Sequence, residues 1–370
     1  MTAEPVSRVR ERASRLSAAE ALIEGPLQGY HHETYVFPLP DAADGDGDGG
    51  GRSGTVRWKC REPRQGILRF DLRSFVREGA LVRALAGRVS SVPETIEVDE
   101  VGLQRFIEGA TLGTYRGPGT TVAEPHLDQI CRLFRELAAI TPRSLAVERL
   151  GGADEWVADG DCAGFAVSLI RFTEERVYRA HLPLYGELFA ALGVTVHGLR
   201  RLASRMPALT ARPFCLLHGD LHRENLVVDG DGRLWTIDWE LAMFGDPLYD
   251  LATHLHLMRY PARQEAAVVG RWAAAVESVR PGAARGLRAD LPLLLEYKRM
   301  QSVYTDVIRA ARAVAGGSGA PWDVARRVRT VLARAGEPLG LAEVPTVGWI
   351  ADALTACRAS EARRGFEDTA

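Results

Sequence analysis

Short apolar runs of the β type occupy the first third of the chain, and helical spacing of apolar residues dominates the rest. The β-type runs are TYVFPL (34–39), TVRWKC (55–60), ETIEV (94–98) and VGLQRFI (101–107). A charged segment, residues 1–24, precedes them and has the pattern of an amphipathic helix. The chain is therefore predicted to be an α+β protein with a small β-rich N-lobe, residues 1–107, and a larger, mostly helical C-lobe, residues 108–370.

A helix is predicted over residues 74–89, SFVREGALVRALAGRV, because its apolar residues recur three and four positions apart. At the helical angle, Glu78 falls in the middle of this apolar stripe, between Phe75 and Leu85. A carboxylate on an inward face needs a partner. The nearest candidate is Lys59, one of only two lysines among 46 basic residues. The alternative is a glutamate at the rim of the stripe, with its charge in water.

The stretch CLLHGDLHRENLVVDGDGRLWTIDWE (215–240) sets polar residues between apolar runs that are typical of buried strands. Its second half, LVVDGDGRLWTIDW, predicts a hairpin with its turn at Asp229-Gly-Asp231-Gly. Such a hairpin brings Asn225 and Asp238 together beyond its strand ends, with Asp220 across the preceding loop. Two oxygen ligands beside a free carboxylate are what magnesium-assisted phosphoryl transfer requires.

Composition excludes several other classes of protein. A net charge of −2 gives no reason to expect a nucleic acid or an anionic membrane surface as partner. No run of eighteen or more apolar residues indicates a membrane span, and the charged N-terminus lacks the apolar centre of a signal peptide, so we expect a cytoplasmic protein. The five cysteines are scattered without a CxxC pair, which argues against zinc and against a disulfide framework. The oligomeric state is left open.

The tract DAADGDGDGGGRSG (41–54) imitates the start of an EF-hand calcium loop. The twelfth position of such a loop should be Glu, but here it is Thr55, and β-type segments flank the tract. The tract also lacks the Gly-Lys pair of a phosphate-binding GxxxxGK loop. We interpret it as a solvated hairpin loop.

Five short motifs in the same order resemble those of the aminoglycoside phosphotransferase and choline kinase family, which is similar in fold to protein kinases. HGDLHREN (218–225) resembles the catalytic loop, IDWE (237–240) the metal-binding segment, and GDPLYDLATHL (245–255) its usual continuation. VRWK (56–59) resembles the strand that carries the phosphate-binding lysine, and FIEG (106–109) resembles the hinge. The resemblance runs from about residue 27 to 256 and implies a two-lobed protein-kinase-like fold.

The resemblance implies a role for each matching residue. Asp220 would be the catalytic base, and Asn225 and Asp238 would hold Mg²⁺ on ATP or GTP. Lys59 would hold the α- and β-phosphates and be positioned by Glu78. The remaining implied roles are purine contact by the backbone of Arg105, Phe106 and Ile107, γ-phosphate contact by His222, and structural support of the loop by His218 and Asp250.

The chain departs from the family pattern in two places. The nucleotide-covering loop, LQGYHHETYVF (27–37), has Gly29 alone where relatives have several glycines, so fewer free backbone N–H groups meet the phosphates. Either Tyr30, His31 or His32 substitutes for them, or the loop is stiffer and binds the nucleotide more weakly. Arg223 replaces a common proline and would add a cation near the phosphates.

The predicted function is phosphoryl transfer to a small hydroxylated substrate, an antibiotic in a resistance role. Residues 110–205 and the C-terminal helices are expected to form the acceptor pocket, with the stripe Tyr297, Met300, Tyr304 and Ile308 as core packing. Residues 108–370 contain 31 basic and 32 acidic residues, which favours a nucleoside-type or sugar-bearing acceptor over a polycationic aminoglycoside. The acidic cluster Asp154, Glu155, Asp159 and Asp161 could still bind cations.

Other functions stay open at this point. The chain could be a kinase of a choline-, homoserine- or sugar-like metabolite, or a non-catalytic kinase-like nucleotide-binding module. A zinc hydrolase built on His218, His222, His254 and His256 is disfavoured, because the first two flank a predicted turn. A serine hydrolase is disfavoured because no GxSxG occurs.

Overall fold

The computed structural model describes residues 7–27, 32–39, 56–64, 70–152 and 156–367, with side chains as far as residue 359. The tract 41–54 and residues Gly29, Tyr30 and His31 lie outside the described residues. The elements of the N-lobe are α1 (Arg8–Leu16), β1 (His32–Pro38), β2 (Arg57–Pro63), α2 (Glu78–Leu85), β3 (Thr95–Val98) and β4 (Val101–Arg105). The four strands form an antiparallel sheet in the order β1-β2-β4-β3.

Successive side chains of strand β2 point to opposite faces of this sheet. Trp58 and Cys60 are buried in a small core with β1, β4 and helix α1. Lys59 and Arg61 point to the other face and line a cavity beneath the sheet. The strand thus delivers two cations to the side that faces the rest of the molecule.

Helix α1 is shorter than the predicted helix over residues 1–24. The side chain of Ser7 caps its first turn by accepting a hydrogen bond from Arg10 N. The helix ends at Leu16, after which Ala18 N donates to Pro38 O of β1. Three residues of the helix are buried against the small core, and the last of them is Leu16.

Helix α2 is shorter than the predicted helix over residues 74–89: it begins at Glu78 and ends at Leu85, so Phe75 and Val89 of the predicted stripe lie outside it. Phe75, Leu81, Val82 and Leu85 belong to the large core that fills the C-lobe, not to the small core around β1 and β2. The helix therefore packs on the core of the C-lobe. Its first residue, Glu78, lies between that core and the four-stranded sheet.

The C-lobe is mostly helical, as predicted. Its strands are β5 (Gly109–Thr111), β6 (Cys215–Leu217), β7 (Leu226–Asp229), β8 (Leu234–Thr236) and β9 (Met243–Gly245). Its helices are α3 (Leu112–Tyr115), α4 (Glu124–Ala138), α5 (Cys162–Phe172), α6 (Ala180–Ala191), α7 (His197–Ala203), α8 (Pro247–Met258), α9 (Ala262–Glu277), α10 (Leu287–Ala315), α11 (Pro321–Leu339) and α12 (Val347–Glu367). A π-helical segment, Thr173–Arg179, joins α5 to α6.

Two small sheets hold the polar stretch between the helices. Strand β7 pairs with β5 on one side and β8 on the other, and β6 pairs with β9. The predicted hairpin is confirmed: Asp229 Oδ1 accepts hydrogen bonds from Asp231 N at 3.0 Å and Arg233 N at 2.9 Å across the turn. Strand β9 was not predicted, because three residues are too few to show a periodicity.

Helix α10 runs through the middle of the C-lobe. The stripe Tyr297, Met300, Tyr304 and Ile308 is fully buried, which confirms its prediction as core packing. The two tyrosine hydroxyls have partners, since Tyr297 Oη lies 3.0 Å from Thr173 Oγ1 and Tyr304 Oη donates to Thr195 O at 2.6 Å. Within the described ranges, no helix combines the length and the apolar character that crossing a membrane requires.

Candidate active site

One buried carboxylate, on helix α8, holds the start of the loop between β6 and β7. Asp250, in helix α8, accepts hydrogen bonds from His218 N at 3.0 Å and Gly219 N at 2.8 Å. Burial raises the pKa of Asp250 to about 6, although these N–H groups and Lys298 act in the opposite direction. Gly219 has φ +78°, and a Cβ there would lie 2.4 Å from Leu241 O, so the turn requires glycine. The structural role predicted for Asp250 is confirmed.

His218 is also structural. The ring is fully buried, and Nδ1 accepts a hydrogen bond from Asp220 N at 3.3 Å. Because Nδ1 is an acceptor, Nε2 carries the proton and donates to Ile237 O at 3.2 Å. Burial lowers the pKa of His218 to about 4, so the neutral form ties the loop to the segment that follows β8.

Asp220 lies at the open end of this loop with its carboxylate held from two sides. Asn225 Nδ2 donates to Asp220 Oδ2 at 3.2 Å and to Asp220 O at 2.9 Å. His222 Nε2 lies 3.3 Å from Asp220 Oδ2. Since His222 Nδ1 accepts from Glu224 N at 3.2 Å, Nε2 is the protonated nitrogen and donates to Asp220. His222 thus contacts the candidate base directly.

The hairpin brings Asn225 and Asp238 together as predicted. Leu226 pairs with Thr236, and Ile237 N donates to Asn225 O at 3.0 Å, so the two residues flank one end of the ladder. Asp238 has φ +64°, an unusual conformation for a non-glycine residue that marks a constrained side-chain direction. Burial alone would raise the pKa of Asp238, but Arg61, His32 and other nearby cations outweigh it and lower the pKa.

The donor set at this point suits a hard cation. Asn225 uses its amide nitrogen toward Asp220, which leaves its carbonyl oxygen for a ligand. Asp238, Glu240 and His32 each offer a ligand atom, and these atoms lie within 4.8 Å of one another. Carboxylate and amide oxygens are typical magnesium ligands. Glu240 was missed by sequence reasoning, although its position two residues after Asp238 in IDWE was the available signal.

The predicted ion pair between Lys59 and Glu78 is wrong in this structure. Glu78 pairs with Arg61 instead, and its Oε1 accepts a hydrogen bond from Trp239 N at 2.8 Å. Arg61 Nη1 also lies 3.5 Å from Asp238 Oδ1. Lys59 and Arg61 are two residues apart on the same strand face, and the broad guanidinium reaches both carboxylates where an ammonium reaches one. Glu78 is inward-facing and partnered, as predicted.

Lys59 forms no ion pair with any residue that the structure describes. Burial, and then the charge of Arg61, lower its pKa to about 7, while Asp238 acts in the opposite direction. The ammonium lines the cavity beneath the sheet together with Arg61, Glu78 and His32. It is therefore a cation without a carboxylate of its own, next to the candidate metal site.

Arg223 does not add a cation to the phosphate region. Its side chain is 3% exposed and donates to Arg116 O at 3.1 Å and to Thr120 O at 2.5 Å, both on the segment after α3. The guanidinium satisfies backbone carbonyls on the far side of the loop, so the prediction made for this residue is wrong. An arginine can replace proline here because those carbonyls are within its reach.

The predicted hinge leaves one of its three backbone N–H groups without a partner among the described residues. Arg105 N donates to Glu94 O and Phe106 N donates to Arg57 O, both at 2.8 Å. The N–H of Ile107 has no hydrogen-bond partner among the described residues. Of the three residues predicted to meet the purine, Ile107 therefore offers the available donor.

A zinc site built on four histidines does not form. His218 and His254 use both ring nitrogens inside the protein, and His254 Nδ1 faces Leu221 O at 2.8 Å while Nε2 faces Tyr260 Oη at 2.9 Å. The side chains of His218 and His254 are fully buried. Metal candidates among the described residues centre on His32, Asp238 and Glu240 instead.

A protein-family model described as the phosphotransferase enzyme family matches residues 49–290. This span contains the loop of Asp220, the hairpin and the strand of Lys59. No curated protein sequence matches the chain.

Solved structures align with the chain at low sequence identity. A macrolide 2′-phosphotransferase from Brachybacterium faecium aligns with a TM-score of 0.50 and 16% identity, covering 92% of this chain and 100% of that one. The choline kinase of Streptococcus pneumoniae gives 0.44 and 15%, covering 90% and 97%. A thermostable mutant of an aminoglycoside phosphotransferase, in a ternary complex with AMP-PNP and hygromycin B, gives 0.46 and 16%, covering 91% and 100%. The first match confirms the predicted two-lobed, protein-kinase-like fold.

Proposed function

The chain belongs to the phosphotransferase enzyme family and is a small-molecule phosphotransferase, and from this premise we propose that it transfers the γ-phosphate of ATP, or of GTP, to a hydroxyl of its acceptor. The convergence of Asp220, Asn225 and Asp238 at one end of the β7–β8 hairpin carries the proposal. Phosphoryl transfer needs positioning and charge neutralisation more than covalent chemistry from the protein. A base and two oxygen ligands within one loop and one hairpin supply both.

Asp220 is the proposed base. Its carboxylate accepts the proton of the acceptor hydroxyl as that oxygen attacks the γ-phosphorus, and the bond from phosphorus to the leaving nucleoside diphosphate breaks. Asn225 and His222 donate hydrogen bonds to Asp220, at 3.2 and 3.3 Å, and hold the carboxylate in one orientation. The buried His218 and Asp250 fix the backbone beneath it.

Asn225 and Asp238 are the proposed magnesium ligands. Bound there with the nucleotide, the ion would neutralise charge on the phosphate oxygens. Arg61 beside Asp238 shows that this carboxylate already attracts a cation.

Lys59 is the proposed phosphate-binding residue, since its ammonium is not engaged by a carboxylate. Ile107 N–H would meet the purine at the hinge, and His32 lies beside the metal site. With a pKa of about 7, Lys59 is only partly protonated at neutral pH, and the negative phosphates of a nucleotide would favour its charged form.

For the acceptor, we propose a hydroxylated antibiotic of low charge, nucleoside-type or sugar-bearing, with a resistance role for the enzyme. The near balance of charge over residues 108–370 supports this against a polycation. Two described members of the predicted acidic cluster serve the fold: Asp159 accepts from Phe214 N at 2.7 Å, and Asp161 caps α5 by accepting from Gly164 N at 2.8 Å. Asp154 and Glu155 lie outside the described residues.

A nucleotide titration tests the first half of the proposal. AMP-PNP should bind the full chain more tightly with Mg²⁺ than with EDTA, and Asp238→Ala should remove that difference because one of the two bridging oxygen ligands is lost. ADP release should then be screened over hydroxylated antibiotics and small metabolites, with the new phosphate located by ³¹P NMR. Nucleotide binding without ADP release from any acceptor would favour the non-catalytic module.

A further inference from the structure

We propose that the acceptor of this phosphotransferase is a hydroxylated compound that carries a flat apolar ring and a carboxylate, bound in a second cavity beside the active site. This rests on the proposed function and deepens it. The cavity has a volume of about 390 Å³, within the range of small-molecule sites. We call it the arginine–aromatic cavity, and its defining residues are Arg73, Arg149, Trp156, Phe165, Arg176 and Phe244.

The arginine–aromatic cavity borders the phosphoryl-transfer site through Arg73. Arg73 lines the cavity, and its Nη2 donates to Glu240 Oε2 at 2.7 Å. The Glu240 carboxylate belongs in turn to the group of ligand atoms around Asp238. On the other side, Phe244 of β9 pairs with Leu216 of β6, the strand that leads directly into the loop of Asp220. The cavity is therefore linked to the proposed metal site through Arg73 and to the loop of Asp220 through β9 and β6.

Among the described residues that line the arginine–aromatic cavity, basic side chains outnumber acidic ones. Its acidic lining residues are Asp159 and Glu175, and Asp159 is already engaged by Phe214 N and lies 3.7 Å from Arg280. Four arginines line it, Arg73, Arg149, Arg171 and Arg176. Among these, only Arg73 has an ion pair with a described residue. Such a surface attracts an anionic group and repels a polycation.

Arg149 supplies the most specific indication of a carboxylate. Its guanidinium lies 3.8 Å from the ring centroid of Trp156 and 5.3 Å from that of Phe244. Its Nε is buried and has no hydrogen-bond partner among the described residues. A buried N–H without an acceptor costs free energy, and a carboxylate would satisfy it with the short, charge-assisted bonds that guanidinium groups form.

Aromatic side chains provide the place for the ring. Trp156, 38% exposed, lies at the cavity, and Phe165, Phe172, Phe214 and Phe244 line it as well. Phe165 packs edge-on against Phe214 at 5.6 Å, and Phe75 supports Phe244 in the same way at 5.8 Å. Aromatic walls of this kind favour a flat unsaturated ligand through offset or edge-to-face contacts.

The test uses two probes of the same shape and opposite charge, 1-naphthoate and 1-naphthylmethylamine, titrated calorimetrically into the full chain with Mg²⁺ and AMP-PNP. We expect 1-naphthoate to bind and the amine to bind at least tenfold more weakly. Arg149→Gln should weaken 1-naphthoate binding by roughly tenfold, because a charged hydrogen bond is lost. The matched control is Arg132→Gln, an exposed arginine of α4 away from the cavity, which should change nothing.

Equal or tighter binding of the amine, or an Arg149→Gln affinity equal to that of the parent, would overturn the proposal. AMP-PNP binding reports whether each variant is folded. If Arg149→Gln does not fold, the double variant R171Q/R176Q, whose side chains are both exposed, decides in its place. Failure of nucleotide binding in the parent would overturn the proposed kinase function but leave the probe result standing. ADP release with polycationic aminoglycosides alone would refute the acceptor class but not the kinase.

Discussion

At the residue scale, the proposed function depends on the carboxylate of Asp220. We expect Asp220→Asn to lower turnover by roughly a hundredfold or more, because the amide cannot accept the hydroxyl proton. Affinity for AMP-PNP should stay nearly unchanged, since the proposed metal ligands, Asn225 and Asp238, are still present. Steady-state ADP release and calorimetry measure the two effects. Turnover within tenfold of the parent would remove Asp220 from the role of base.

The partner of Glu78 also belongs to this scale. Arg61→Met should destabilise the protein by about 1–3 kcal/mol, because it leaves the inward carboxylate of Glu78 without its cation. Lys59→Met should change stability little, since Lys59 has no ion pair with a described residue, but it should weaken nucleotide binding. Urea unfolding and AMP-PNP titration separate the two variants. If Lys59→Met is the more destabilising change, the ion pair has been assigned to the wrong cation.

At the scale of elements, the loop that carries Asp220 is held by hydrogen bonds to the segment that follows α3. Arg223 spans from the short 3₁₀ turn before β7 to the carbonyls of Arg116 and Thr120. We expect Arg223→Met to cost about 1–3 kcal/mol of stability, because the hydrogen bonds from this buried guanidinium to the two carbonyls are lost. Urea unfolding measures the loss.

The same variant distinguishes structural support from phosphate contact. If Arg223 only supports the loop, KM for the nucleotide should stay within about threefold of the parent. A large rise in that KM with unchanged stability would instead place the guanidinium near the phosphates. Arg132→Met serves as the exposed control for the same side-chain change.

At the scale of the whole molecule, buried histidines make stability depend on pH. His254 has a pKa of about 4 in the folded protein, mainly because of burial, against 6.5 ordinarily. Below pH 6.5 the imidazole of His254 is protonated in the unfolded chain but stays neutral in the folded protein. Its contribution to the free energy of unfolding is therefore greatest above pH 6.5 and is lost progressively as the pH falls toward 4. His218, also at about 4, acts with the same sign. The raised pKa of Asp250 acts with the opposite sign below pH 6.

A variant isolates the contribution of one histidine from that balance. The free energy of unfolding should decrease from pH 7.5 to pH 5 in both proteins. The decrease should be smaller in His254→Gln than in the parent, by about 2 kcal/mol. Urea unfolding at the two pH values gives the difference. An equal fall in both proteins would show that His254 titrates normally in the folded state.

Features that depend on residues close together in the chain could be predicted from the amino-acid sequence. The loop from His218 to Asn225 and the hairpin up to Asp238 are contiguous, so their geometry follows from strand pairing and one tight turn. The inward position of Glu78 followed from helical periodicity in the same way. The proposed base, the proposed metal ligands and the kinase-like order of elements could therefore be predicted from the sequence.

Contacts between segments that are distant in the chain could be assigned only from the tertiary structure. Lys59 and Arg61 share one face of β2, so periodicity cannot say which of them reaches Glu78; the approach of α2 and Asp238 selects the arginine. The direction of Arg223 depends on carbonyls far away in the chain. The arginine–aromatic cavity joins separate segments around Arg149, and no local pattern records its charge. Residue spacing reports strand pairing across a short turn, but it does not report which distant segments pack together.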